Sequence, residues 1–399
     1  MADVFKSLNL LETLKESVEN NKLSDVKDAV ENLLISRINV AVVGDRVKEK
    51  ATLMNSLRGL AADDEGAAPF PTTADPDEVA VEGYINKFKF FRYNVVFMTF
   101  TQVIHPKCVE VFLEALSLHR EAVYFVLLAS QTDTEKSLEE KRRASLDVLK
   151  SQGVKIPKVY VVRPSTLEKL DFPDLLGDVS KDLPEIRAHA LLLALPALTT
   201  TLVTQKKEAF KALIWAAASL SGGMSAIPVP LVASMVDSSV AVRILTKAQL
   251  SLCLDDESVQ RLARQRGIEP SRLKDLRTCV MSVEVTKGEV KKRLAAAEKD
   301  LATVSSKLLQ MAMPRHARSA SRSFAAMLQA LNTAVDEMAA DAERIVGHYG
   351  RTATPFDLVG IRDSPPCDGW QSGGYSQRCG RERPWSAARS PDSAADGAG

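Results

Sequence analysis

The chain has 399 residues, 52 Lys and Arg against 51 Asp and Glu, 45% hydrophobic and 26% charged residues. These balances exclude wholesale disorder and collagen-like repeats, and a formal charge of +1 gives no footing for a nucleic-acid partner. Cysteines 108, 253, 279, 367 and 379 are scattered, with no CxxC pair. They argue against a disulfide framework or zinc knuckle and for a reducing compartment, so a cytoplasmic location is expected; MADVFKSLNL at the N-terminus has no secretory pattern.

In chain order, residues 1–37 read as two helices. Leu8, Leu11, Leu14 and Val18 recur at helical spacing, then Val26, Ala29, Val30, Leu33 and Leu34, with Ser24 as N-cap of the second. From 38 to 184 the period changes. Strands are expected at Asn39–Val43, Val79–Tyr84, Asn94–Phe97, Val123–Leu128 and Lys158–Val162. Helices are expected between them at Lys48–Leu57, Cys108–Leu118 and Ser137–Gln152. Alternation of this kind predicts a mostly parallel sheet covered on both faces. Residues 185–350 carry helical spacing throughout: Lys206–Ser219, Val240–Leu254, Ser258–Arg266 closed by Gly267, Ser271–Met281, Val285–Met311 and Ser323–Val346. Residues 351–399, rich in Gly, Ser, Pro, Arg and Asp, are expected to be a disordered tail. Ala212–Val236 has no charge over 25 residues, long enough for a bilayer. Ser221-Gly222-Gly223 and Pro228-Val-Pro230 interrupt it, which favours a buried helix–turn–helix over a spanning or re-entrant segment.

Strand 39–43 runs into Gly44-Asp45-Arg-Val-Lys-Glu49-Lys50-Ala51-Thr52 and then a helix, the context of a phosphate loop of the form GxxxxGK[ST]. Gly44 and Lys50 fit the spacing. Glu49 occupies the second glycine position, bringing a side chain and a negative charge toward the phosphates; unit charges 4 Å apart interact by about 1–4 kcal/mol in water to surface-like media. Ala51 has no hydroxyl for Mg²⁺, and Thr52 is one residue late, about 100° around the helix. Seven of the 19 glycines lie in the last 49 residues, and this loop holds only Gly44.

Four stretches resemble the immunity-related, interferon-inducible GTPases. They are Ile38–Gly44 with Asn55–Gly59; Glu65–Pro69 with Thr72 and Thr73, like a shortened first switch; Asp171–Leu175 and Lys181–Pro184 through His189–Pro196; and Asp255–Ala263. The resemblance runs in one order over residues 8–350 and is nearest the quasi-GTPase Q-type branch. It implies an α/β P-loop GTPase-like domain at 38–184, degenerate in its motifs. A helical domain at 185–350 would be completed by the N-terminal helices, with the tail following. Within it, the acid of the switch turn is expected at Thr99 and its glycine at Gln102. The guanine-reading motif is missing at Leu127–Gln131, and Arg163-Pro-Ser165 matches the last base loop only loosely.

The degenerate nucleotide site is therefore assigned to Gly44, Asp45, Glu49, Lys50, Ala51, Thr52, Thr72 and Thr73, with no catalytic residue and no metal. No cofactor is expected. One alternative keeps GTP or GDP with Mg²⁺, Lys50 holding phosphate and Thr52 or Thr73 reaching the metal; a second is a membrane scaffold that self-associates through the helical bundle without nucleotide control. What the resemblance implies is a pseudo-GTPase interaction protein in membrane-linked innate immunity or autophagy. Its expected partners are proteins, ubiquitin-like autophagy modifiers among them, an intracellular membrane surface, and a homo- or hetero-oligomer with related GTPases. A peptide for such modifiers has the form [WFY]xx[LIV] near acids and adds a strand to a sheet edge. Phe356 and Val359 at the head of the tail are the leading candidate. Phe172–Leu175 and Phe5–Leu8 are lesser ones, and Phe210–Leu213 is expected in the core. The basic run Pro314–Arg322 is expected to be a solvated loop, with lipid headgroups or phosphorylation as the alternative. His105-x-x-Cys108 lacks a second pair to complete a metal site.

Overall fold

The computed structural model describes residues 5, 9–20, 22–35, 38–44, 48–68, 92–118, 122–224, 230–302 and 321–352. The expected strand at Val79–Tyr84, the basic run up to Ala320 and the tail after Thr352 fall outside them, as does the second compact unit, Thr354–Gly399.

Two amphipathic helices open the chain, α1 (Leu10–Glu19) and α2 (Leu23–Ile35). Asn9 caps α1 by accepting from the Glu12 N–H. Ser24 is not the cap of α2. The helix already begins at Leu23, and the Ser24 hydroxyl bonds to the neighbouring Asp25 carboxylate. Strand β1 (Val40–Gly44) follows, then α3 (Lys48–Leu57), β2 (Val95–Phe100), α4 (Pro106–Leu118), β3 (Ala122–Leu128), α5 (Glu135–Ser151) and β4 (Val159–Val162). All pairs are parallel, in the order β1-β2-β3-β4. Near-continuous runs of Val, Leu, Phe and Tyr form these strands because both faces are covered. On one face Val43, Met98, Phe100 and Phe125 pack on Val109 and Phe112 of α4 and Leu138 and Leu149 of α5. On the other, Val42, Phe97, Tyr124 and Tyr160 join a core that continues without a break into the helices that follow.

Those helices are α6 (Phe172–Asp182), α7 (Glu185–Ala194), α8 (Thr200–Met224), α9 (Pro230–Ser251), α10 (Asp256–Arg266), α11 (Pro270–Lys274), α12 (Val280–Val283), α13 (Lys287–Leu301) and α14 (Ser321–Thr352). The α8–α14 pair makes the most extensive helix contact among the described residues. Ala334, Ala339 and Ala342 of α14 join Met327, Leu331 and Met338 in the core that α8 shares, while Ala326 and Ala330 pack on Ala297 of α13. Helix α10 begins at Asp256, two residues before Ser258. Asp255 is its cap, accepting from the Ser258 N–H at 3.0 Å, and Gly267 closes it with φ of 63°. The single helix expected over Ser271–Met281 is two short ones. The N–H groups of Thr278 and Cys279 turn instead to the fully buried carboxylate of Asp341 on α14 (3.1 and 2.9 Å). The uncharged stretch is split between the end of α8 and the start of α9, and Ala212–Ser219 includes seven buried residues. No described helix is long and apolar enough to cross a membrane.

Candidate functional site

The site to test is the corner where β1 ends and α3 begins. Val40–Gly44 is a buried strand and Lys48–Leu57 a helix, so the strand–loop–helix context of a phosphate loop is present. Asp45 lies outside the described residues, as do Thr72 and Thr73.

Gly44 sits at φ of +125° and pairs with Thr99 of β2. A Cβ there would meet the Thr99 carbonyl oxygen at 1.8 Å, so only glycine fits between the two strands. Lys50 is fully buried and its ammonium donates to the Gly44 carbonyl at 2.7 Å. Glu49 is half-buried in the first turn of α3, where a carboxylate suits the positive end of the helix. Ala51 is buried, and the Thr52 hydroxyl donates back to the Lys48 carbonyl at 3.0 Å, the local bond that threonine makes inside helices.

Thr99, the expected switch-acid position, is not in a turn. Strand β2 runs on to Phe100, and Thr99 lies inside it, fully buried, donating its hydroxyl to the Val43 carbonyl at 2.8 Å. A carboxylate could not make that bond, because an ionised acid only accepts.

The segment after α3, which carries the start of the first-switch resemblance, folds back on the helix. Asn55 is buried and grips Ala68 through both amide atoms: Oδ1 accepts from its N–H at 2.6 Å and Nδ2 donates to its carbonyl at 3.3 Å. Arg58 donates to the Gly66 carbonyl at 2.7 Å. Asp64, only 4% exposed, accepts from the Ala61 N–H and from Arg264 of α10 at 2.5 Å. Composition gave no hint of this clamp, because Asp64 and Arg264 are 200 positions apart.

At the expected base-reading position, Leu127 and Leu128 are buried strand residues, and the Ala129 N–H donates to the Val162 carbonyl at 2.8 Å. Asp133 is the acid that follows. Its carboxylate turns inward to the Ser130 N–H and the Lys141 ammonium, both at 2.8 Å. Burial opposes its ionisation, but Lys141 and Ser130 outweigh that and hold it below the usual carboxylate range. Sequence reading passed over Asp133, and its pairing with Lys141 eight residues on, one turn and more into α5, was the signal available.

Of the peptide candidates, Phe356 and Val359 lie outside the described residues. Phe172 and Leu175 are buried in the first turn of α6, Phe5 is buried, and Phe210 and Leu213 are core residues of α8. Neither described pair, Phe172 with Leu175 or Phe210 with Leu213, presents a free strand, and Leu8 lies outside the described residues. Cys108 is buried, and His105 accepts from the Lys107 N–H at 3.3 Å.

These features now meet the comparisons with known proteins. Interferon-inducible GTPase 5 of Bos taurus is 27% identical over 383 residues, which cover 84% of this chain and 81% of that protein. The Rattus norvegicus protein of the same name is 26% identical with the same coverage. Interferon-inducible GTPase 1 of Mus musculus is 24% identical over 301 residues, 66% of this chain and 72% of its own length. A sequence model of the interferon-inducible GTPase family (IIGP) matches residues 114–347, more than half of the chain and starting after the phosphate-loop corner. With its parallel sheet and helical surround, the chain belongs to the interferon-inducible GTPase family.

Proposed function

We propose that this chain is a pseudo-GTPase, nearest in kind to the Q-type branch, that works through its surfaces. The observation that carries this reading is Lys50. Its ammonium, which a phosphate loop offers to nucleotide, is fully buried on the carbonyl of Gly44. The residues around it fit Mg²⁺ and triphosphate poorly. Ala51 offers no ligand, the Thr52 hydroxyl is spent on Lys48, and Glu49 supplies negative charge where an anion would bind. Among the described residues, each expected catalytic position is replaced or engaged in the fold, so little is left to stabilise a transition state for hydrolysis.

The activity follows as protein recognition in membrane-linked innate immunity or autophagy, with Phe356–Val359 as the peptide for a ubiquitin-like modifier and a membrane surface or related GTPases as further partners. The alternative, a GTP-binding protein, is favoured by Gly44 and Lys50 standing at phosphate-loop spacing. Titration with fluorescent GTP and GDP in Mg²⁺ separates the two. The pseudo-GTPase shows no saturable binding below about 100 µM, or about 5 kcal/mol. Tighter binding that Lys50→Ala abolishes would overturn the reading. Deleting residues 351–399 abolishes binding to the ubiquitin-like modifier, and unchanged binding would remove the peptide from the proposal. Flotation with anionic vesicles, with and without nucleotide, tests the membrane partner in the same way.

A further inference from the structure

Eight large hydrophobic side chains are more than a third exposed among the described residues. Scattered singly, such residues are ordinary; grouped, they mark contact surfaces. Ile35, Val103, Leu113, Ile156 and Leu170 stand apart in the chain. Val280 (60% exposed) and Val283 (51%) do not. They share the single turn of α12, three residues apart, and so lie on one side of it. Leu250, also exposed, is brought near them, because its neighbour Gln249 donates to the carbonyls of Ser282 (3.3 Å) and Val283 (2.9 Å).

The turn is fixed at both ends. Ahead of it, the buried Asp341 carboxylate accepts from the Thr278 N–H and hydroxyl and from the Cys279 N–H. Behind it, Gln249, itself buried, holds the carbonyls of its last two residues. Met281 and Ser282 are completely buried, while the valines on either side of them stay in solvent. A surface already fixed in its bound shape loses little entropy on association.

The flanking charges say what fits. Glu284 directly follows Val283, and Lys287 opens α13 three residues later. Both are exposed, and neither has a hydrogen bond or ion pair among the described residues. They do not pair with each other, although other i, i+3 pairs do, as at Glu12–Lys15 and Glu289–Lys292. An apolar surface with one free acid and one free base beside it is complementary to itself. Under a two-fold rotation the valines meet their own copies, and Glu284 of each copy lies opposite Lys287 of the other. An anionic lipid surface would call for an excess of positive charge, and a partner of uniform charge would oppose one of the two residues.

We propose that the α12 turn is a self-association surface, and that its occupant is a second copy of this chain in a two-fold arrangement. This rests on the reading that the chain works through its surfaces, and it requires no nucleotide. Three aliphatic side chains and two symmetry-related ion pairs are few beside the roughly 800 Å² per partner of a standard interface, so the dimer forms and separates as concentration changes.

The test is sedimentation equilibrium of the full chain without nucleotide, in a thiol reductant at about 50 mM salt, from about 5 to 200 µM. The weight-average mass rises with concentration from 43.5 kDa toward twice that value. Val280→Ser with Val283→Ser weakens association at least about tenfold and leaves the urea midpoint in place, since both positions are exposed. Glu284→Lys and Lys287→Glu each weaken it at least about threefold, and the two together recover the wild-type constant to within about twofold, because the pair is then reversed on both copies. A monomer at every concentration, a dimer that the serine pair leaves intact, or a double reversal no better than the single ones would overturn the proposal. If the serine pair lowers the urea midpoint, the charge-reversal series decides alone. The serine variant gives the same titration with fluorescent GTP as the wild type, so failure of the dimer and failure of the pseudo-GTPase reading are separate results.

Discussion

Lys50 and Lys206 are both completely buried, one at the corner between β1 and α3, the other in the helical region. Each ends on backbone carbonyl oxygen: Gly44 for the first, Leu195 and Ser251 for the second. The helical region has no nucleotide loop, yet it uses a lysine to gather the ends of chain segments. The phosphate-loop corner holds its lysine in the same manner. A lysine at the right spacing is therefore not by itself a phosphate ligand, because the fold has its own use for a long cationic side chain. The part of the chain that matches the family model, residues 114–347, includes the helical region and omits the corner.

Substitutions in the two regions test whether each lysine-held corner depends on its own packing. Gly44→Ala places a Cβ against the Thr99 carbonyl and lowers stability by about 4 kcal/mol or more, measured by urea unfolding. A tolerated alanine would mean that the corner yields, and the likeness to the helical region would fail. Asp341→Ala strips the acceptor from Thr278, Cys279 and Arg344 and costs about 3 kcal/mol, which shows how much one buried acid holds in the helical region. Arg264→Ala leaves the nearly buried Asp64 carboxylate without its partner. It costs about 1–2 kcal/mol and speeds hydrogen exchange over Ala61–Ala68. Thr99→Val removes the hydroxyl bond to Val43 at a cost of about 1 kcal/mol and leaves nucleotide titration unchanged.

The smallest effect is one of pH. Burial lowers the pKa of His189 from its ordinary 6.5, against the opposing bond to the Glu185 carbonyl at 2.9 Å. The unfolded chain then takes up a proton before the folded one does. Stability from this residue is complete above about pH 6.5 and falls as pH drops toward the folded value. His189→Leu flattens that part of the urea-midpoint profile.

Much of the fold was legible because its signals are local. The helix at Lys48–Leu57 follows from spacing within ten residues, and strand β1 from an apolar run that ends at glycine. Some errors were local, such as the caps at Ser24 and Ser258, but two came where distant partners decide. Thr278 and Cys279 leave the helix because Asp341 lies 63 and 62 positions on. Strand β2 outruns its expected end because Thr99 finds Val43 across the sheet, 56 positions back. Of the site, sequence located Gly44, Glu49, Lys50, Ala51 and Thr52 in the right elements. It could not say that Lys50 would point inward, or that Asn55, Asp64 and Arg264 would close the segment beside it, since each of those depends on the packed chain.

Gly44 has a consequence for how sequence motifs are read. The strand pair excludes every side chain at that position, whether or not a phosphate ever approaches. A glycine demanded by the scaffold is retained for the scaffold's sake, whatever the loop beside it does. For proteins of this kind, the informative signature positions are those that the architecture leaves optional, such as Glu49 and Ala51. A mutational scan of this chain would find Gly44 intolerant whether or not nucleotide binds.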